Sequence, residues 1–212
     1  WANDSAVNFT TTPDAIDSVK TLTTNVGAVV GYMWYAKDNA GNWNVTTIST
    51  LTTTDAIAPT YSSLAHNSSN AGRTTLFSAY WNDNLALNPN GKYIFSTNNT
   101  GTWVNDTPVA FTTTPSWANV TKTLNTTGGK VIGYRWYAND TANNWNSTAI
   151  QTLTTVDITP PTYSNVAHNT TQGGSAILFS AYWNDETALA GGGRYIFSTN
   201  NTGTWVNDTP VA

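Results

Sequence analysis

An all-β chain of tandem sandwich domains is what this sequence predicts, and three observations carry that expectation. The chain repeats itself at a spacing of 102 residues without a gap. Runs of β-branched and aromatic residues alternate with turn residues along its whole length, and no stretch carries a helical period. The offset pairs Trp1 with Trp103 and runs through to Ala110 with Ala212, and 69 of these 110 pairs are identical. Residues 93–110, YIFSTNNTGTWVNDTPVA, return unchanged at 195–212. A period near 100 is too long for a helical or leucine-rich solenoid unit, and it matches a β-sandwich that owns a core.

The elements of one copy follow in order. PTYSSLAH (59–66) opens with a proline, which costs no ladder bond at the start of a first strand. TTLFSAYW (74–81), KYIFST (92–97), WVNDTPVAF (103–111), NVTKTL (119–124), KVIGYRWYA (130–138) and STAIQTLTT (147–155) read as the remaining strands. Clusters of Asn, Gly, Asp and Pro separate them, and NNTG (98–101) has the chemistry of a hairpin turn. About seven short strands in about 100 residues is the count of an immunoglobulin-like sandwich.

Comparing copies shows which face of a strand is buried. VVGYMWYA (29–36) and VIGYRWYA (131–138) differ at Met33 and Arg135, a swap that a packed core resists because an unpaired buried charge is costly. Alternation then points Tyr32, Trp34 and Ala36 inward, with Tyr134, Trp136 and Ala138 in the other copy. Trp43, Trp103 and Trp117 lie nearer loops. A core role is the expectation for them too, and a sugar-stacking platform is the alternative.

Composition excludes several classes. Charged residues are 9% of the chain, against about a quarter in an ordinary domain. Thr, Ser and Asn supply well over a third of it. Eight Lys plus Arg and a net charge of −4 argue against nucleic acid, which needs a dense basic face. No apolar run is long enough to span a bilayer, so the chain is not expected to cross one. Ten Trp and ten Tyr leave ample material for cores, and the absence of cysteine removes a disulfide framework.

YAKDNAGNWN (35–44) followed by TTTDAIAPTYS (52–62), and YANDTANNWN (137–146) followed by TTVDITPPTYS (154–164), carry a resemblance. They look like the last hairpin and interdomain junction of the tandem immunoglobulin-like and fibronectin type III-like repeats of archaeal and bacterial cell-surface and filament proteins. The second copy has Asn143 where the first has Gly41, and asparagine also tolerates a left-handed turn conformation. The resemblance implies an extracellular setting in stalks, adhesins, surface layers or filaments, and no catalytic residues. The cysteine pair of antibody-type domains is absent.

The junction sets the phase. Pro59 and Pro161 each open a unit, which gives the C-terminal half of one repeat at 1–57, a complete repeat at 58–159, and the N-terminal half of the next at 160–212. Half sandwiches have raw strand edges, which fits a window cut from a longer array. The rival reading completes the halves between molecules, as in donor-strand assembly, and leaves an eight-residue overlap redundant.

Glycosylation is the strongest chemical signal. Asn-x-Ser/Thr without a central proline occurs at Asn3, Asn8, Asn44, Asn67, Asn98, Asn105, Asn119, Asn125, Asn139, Asn146, Asn169, Asn200 and Asn207. Chance in so Asn- and Thr-rich a chain gives about seven such sites, so these thirteen are in excess. N-linked glycans would hydrate a surface short of charge.

Enzymatic constellations are missing. Glu186 is the sole glutamate, and the aspartates sit mainly in turns, so no general acid and base stand out. His66 and His168 occupy equivalent positions in separate copies and read as polar residues at strand ends. No cofactor is expected. Related repeats clamp calcium at junctions, which brings Asp38, Asp55, Asp140 and Asp157 forward. Their neighbours offer too few ligands for six or more positions, so turn chemistry is the preferred reading. Two functions stay open: a glycosylated extracellular fibre or stalk whose partners are further copies of itself, head to tail and side by side, and an adhesin module that binds carbohydrate or a surface.

Overall fold

The computed structural model describes residues 2–211; Trp1 and Ala212, the outermost aligned positions of the repeat, lie outside the described residues. The described residues contain strands and no helix, and every pairing between strands is antiparallel. The chain divides into two compact units, Trp1–Asp55 and Ala56–Ala212.

The unit Trp1–Asp55 holds β1 (Val29–Tyr32), β2 (Tyr35–Lys37), β3 (Trp43–Val45) and β4 (Ser49–Thr52). β1 pairs with β4 and β2 with β3, as two separate ribbons. Residues 2–28 form no strand. They are tied down by polar contacts: the Thr53 hydroxyl donates to the Asn25 carbonyl at 2.5 Å and accepts the Ala28 amide at 3.0 Å, and Lys20 pairs with Asp4.

The unit Ala56–Ala212 begins with β5 (Thr60–His66), β6 (Thr74–Asn82), β7 (Lys92–Thr97), β8 (Val104–Asn105), β9 (Val109–Ala110), β10 (Ser116–Thr123), β11 (Val131–Asn139), β12 (Trp145–Ser147) and β13 (Gln151–Thr154). One sheet has the order β10-β6-β5. The other runs β12-β11-β7-β8, with β13 also on β11 and β9 also on β7. A single core joins the two sheets. Phe77, Ala79, Trp81 and Ala118 come from the first, and Phe95, Ile132, Tyr134, Trp136, Ala138 and Leu153 from the second. Alternation along β6 and β11 delivers these side chains, since every second residue faces the core.

Tyr134, Trp136 and Ala138 are buried as expected, and Arg135 lies over the Tyr137 ring at 4.3 Å. Tyr32 and Trp34 are not: they are 49% and 37% exposed, and the strand breaks between β1 and β2. WVNDTPVAF is two short strands rather than one. The Asp106 amide turns to the Phe95 carbonyl at 2.8 Å, and Pro108 has no amide to offer the ladder. STAIQTLTT also splits, into β12 and β13, where the Thr148 amide and hydroxyl clasp the backbone of Trp136 at 2.9 and 3.0 Å.

The remainder of this unit repeats the start of the domain: β14 (Thr162–His168) pairs with β15 (Phe179–Asn184), and β16 (Ser198–Thr199) with β17 (Val206–Asn207). β14 has a bulge between Ser164 and Ala167, as β5 has between Ser62 and Ala65. Ser63 and Asn165 both sit there at φ of 52°, so the kink is a property of the repeat.

Candidate functional site

The asparagines of the sequons fall into three groups by what their side chains touch. Asn67, Asn105 and Asn119 of the complete sandwich are exposed, as are Asn3, Asn8, Asn44, Asn169, Asn200 and Asn207 elsewhere. Asn105 and Asn119 sit on strands with their side chains turned out of the core. Asn67 accepts the Leu76 amide through Oδ1 at 2.8 Å, which leaves that contact clear of the Nδ2 atom to which a glycan is joined. Asn98 and Asn125 are half-buried. Each accepts a backbone amide through Oδ1, Gly133 at 2.7 Å and Thr127 at 2.9 Å.

Asn139 and Asn146 use Nδ2 itself. Asn139 is buried, accepts the Lys92 amide at 2.7 Å and donates Nδ2 to Asn143 Oδ1 at 3.0 Å. Asn146 donates Nδ2 to the Pro59 carbonyl at 2.7 Å and ties the last hairpin to the start of the first strand. Sequence pattern alone treats these two like the rest. Only the fold shows that their amide nitrogens are engaged.

The hairpin turns follow the expected chemistry. Gly101 donates to the Asn98 carbonyl at 2.8 Å with φ of 100°, and Gly41 and Asn143 take φ of 95° and 70° at equivalent turns. Asp38 accepts both the Asn42 amide and its side-chain Nδ2 at 2.8 Å, and Asp140 makes the same pair of bonds with Asn144. The Asn42 side chain, followed by its backbone amide, holds the Asp38 carboxyl below the ordinary aspartate value of 3.8.

The four aspartates singled out in the sequence do not gather into one site. Asp38 stays in its exposed turn. Asp140 has a carboxylate oxygen within 4.8 Å of one from Asp83, and Asp157 likewise meets Asp185 and Glu186. The pattern missed Asp83 and Asp185, although they recur at the repeat spacing. Both serve as turn residues: Asp83 accepts the amides of Leu85 and Ala86, and Asp185 those of Thr187 and Ala188. Asp157 accepts the Thr159 amide and receives the Thr187 hydroxyl, and these bonds lower its pKa.

The loop tryptophans are exposed, contrary to a core role. Trp43 lies under the Lys37 ammonium at 5.7 Å, and Trp117 packs on Tyr80 with ring centroids 5.0 Å apart. Trp103 packs on β11 at Gly133, where a Cβ would stand 3.0 Å from the indole. A large ring on a small sandwich can cover a glycine and still keep its outer face in water. His66 and His168 are both exposed, and His66 Nδ1 is 3.2 Å from the Tyr134 hydroxyl. Burial raises the pKa of Tyr134. No helix of the described residues is long and apolar enough to cross a membrane. No protein-family model and no curated protein matches this chain.

Proposed function

We propose that this chain is a structural segment of an N-glycosylated extracellular fibre or stalk, built from immunoglobulin-like sandwiches in head-to-tail order, and that it is not an enzyme. The observation that carries this reading is geometric repetition. Tyr61 and Trp81 have ring centroids 5.3 Å apart, and their counterparts Tyr163 and Trp183 are 5.5 Å apart. Phe77 and Phe95 are at 4.9 Å, and Phe179 and Phe197 at 4.8 Å. A unit that reproduces its internal packing at each copy, behind a junction proline each time, suits stacking better than chemistry. Exposed asparagines in sequons supply the hydration that a surface with few charges lacks.

The exposed Trp117 and Trp43 favour a second reading, the carbohydrate- or surface-binding module, since a ring with one free face can stack on a sugar. Glycopeptide mass spectrometry of material from the native source separates the essential claim from its absence. Sugar is expected at Asn67, Asn105 and Asn119, with Asn139 unmodified because its Nδ2 is buried and engaged. Bare asparagine at every exposed sequon would remove the glycosylated-fibre reading.

A further inference from the structure

We propose that Trp117 and Tyr80 form a platform on which the glycan of Asn119 folds back, so that the sugar this aromatic pair receives is the chain's own. The inference rests on the glycosylated reading for the presence of that sugar and gives it a place on the protein. Both rings belong to the complete sandwich, on the outer face of the sheet β10-β6-β5. Alternation along β10 turns Trp117, Asn119 and Thr121 outward together, and all three are exposed. The register sets Trp117 opposite Tyr80, and their ring centroids are 5.0 Å apart. Asn119 faces Ser78, whose neighbour on the far side is Ala65. Small side chains thus surround Asn119 on the sheet, and the nearest large groups are the two rings. Alternate residues on one face of a strand are about 7 Å apart, which a sugar joined to Asn119 can span.

The sequence ties the ring to the sequon. Tryptophan stands two residues before the sequon asparagine at Asn3, Asn105, Asn119 and Asn207. Asn3, Asn105 and Asn207 are one repeat position seen three times, and Asn119 is a separate one. In the preceding copy Trp117, Asn119 and Thr121 correspond to Ala15, Asp17 and Val19, so ring, amide and hydroxyl are lost together. Tyr137, two residues before Asn139, behaves otherwise. Lys37 stands in place of Asn139 in the preceding copy, yet Tyr35 keeps the ring. The Tyr137 ring already has the Arg135 guanidinium over it at 4.3 Å, and Asn139 is buried with its Nδ2 engaged. A ring with a cation for partner survives the loss of its sequon, whereas Trp117 goes with its own.

A sugar ring presents a face of C–H bonds, which packs on the negative face of an indole. Tethering decides the occupant. A sugar on Asn119 is held beside Trp117 at an effective concentration of order millimolar, which a free saccharide must exceed to displace it. The same spacing recurs on the other sheet of the sandwich. Trp103 packs on Gly133 and is still 46% exposed, and Asn105 is exposed on β8. β10 and β8 are the edge strands of their sheets, and Lys122 of β10 pairs with Asp106, next after β8, at 2.5 Å. The glycans of Asn119 and Asn105 therefore leave the two outer faces beside one edge of the sandwich, each with a tryptophan next to it.

The test uses the chain produced in its native host, with Thr121→Val as the form that lacks only the Asn119 glycan and keeps the side chain's shape. Glycopeptide mass spectrometry establishes occupancy at Asn119. Hydroxyl-radical footprinting should then find Trp117 oxidised several-fold faster in Thr121→Val than in the glycosylated chain. The glycan should also raise the melting midpoint of the complete sandwich by a few degrees, and Trp117→Ala should abolish that gain. Comparing the four forms cancels the direct cost of the alanine. Trp117→Phe should keep part of the gain, since a ring remains. Equal oxidation of Trp117 with and without the glycan overturns the platform, as does a melting gain indifferent to Trp117→Ala, and both leave the glycosylated fibre standing. Bare Asn119 beside sugar at Asn67 and Asn105 likewise overturns the platform alone. Bare asparagine at every exposed sequon removes both readings.

Discussion

Trp136 is fully buried, and its ring meets Phe95 and Tyr93 with centroids 4.8 and 5.9 Å away. Trp136→Ala is therefore expected to lower the stability of the complete sandwich by about 3 to 5 kcal/mol, the cost of emptying an aromatic core site. Arg135 points the other way, stacks on Tyr137 and donates to the Ser147 hydroxyl at 3.0 Å. Arg135→Met should cost no more than about 1 kcal/mol, the loss of a half-buried cation–π contact and one hydrogen bond on the outer face. Chemical denaturation of both variants checks the pair, and equal effects would mean that the faces are assigned backwards. The assignment was legible because two copies of one strand differ only at Val30/Ile132 and Met33/Arg135, and a core trades valine for isoleucine but not methionine for arginine. The exposure of Tyr32 and Trp34 was not legible, since burial depends on a partner sheet and a strand's own residues cannot report whether one is there.

At the scale of elements, residues 93–110 and 195–212 supply a controlled comparison. The first forms most of β7 with β8 and β9, whereas the described part of the second shows only β16, β17 and one bridge between Tyr195 and Val211. Identical letters form less strand where no counterpart of β11 lies alongside, so pairing rather than propensity decides the extent of a strand. Most strand positions were legible from alternation and turn residues, while the breaks inside 103–111 and 147–155 come from backbone bonds to neighbouring strands. The turns are more autonomous. Asp38 and Asn42 make the bonds of Asp140 and Asn144 in a unit that lacks the second sheet. Because the folded pKa of Asp38 lies below its unfolded value, the turn gains from ionisation at pH above the ordinary aspartate range and loses that gain as pH falls through the lower folded value. Carboxyl titration by NMR should place Asp38 below 3.8, and Asn42→Ala should move it upward. A midpoint unchanged by Asn42→Ala would remove the cause assigned here.

Under the proposed fibre reading, whole-molecule behaviour turns on whether one relation carries each repeat into the next. Thr159 and the carboxylate cluster of Asp157, Asp185 and Glu186 lie at the second junction, where the Gly128 amide also donates to the Thr187 hydroxyl at 3.0 Å. Leu85 stands at the position equivalent to Thr187 and has no hydroxyl, so the bond between the Gly128 amide and the Thr187 hydroxyl has no counterpart through Leu85. The strands β6 and β11 are nine residues each, which at roughly 3.3 Å per residue gives a domain about 30 Å long, or about 30 to 40 Å with its turns. A proline immediately before each first strand restricts the backbone on both sides of the boundary and favours a fixed angle. Electron micrographs of the native assembly should then show a uniform thin filament with an axial period near that length. Copies that alternate between the residues of 84–85 and those of 186–187 would double that period and make alternate junctions distinguishable. Domains scattered at random angles along the chain would contradict a fixed junction, and a closed ring would contradict the open, repeated operation on which a fibre depends.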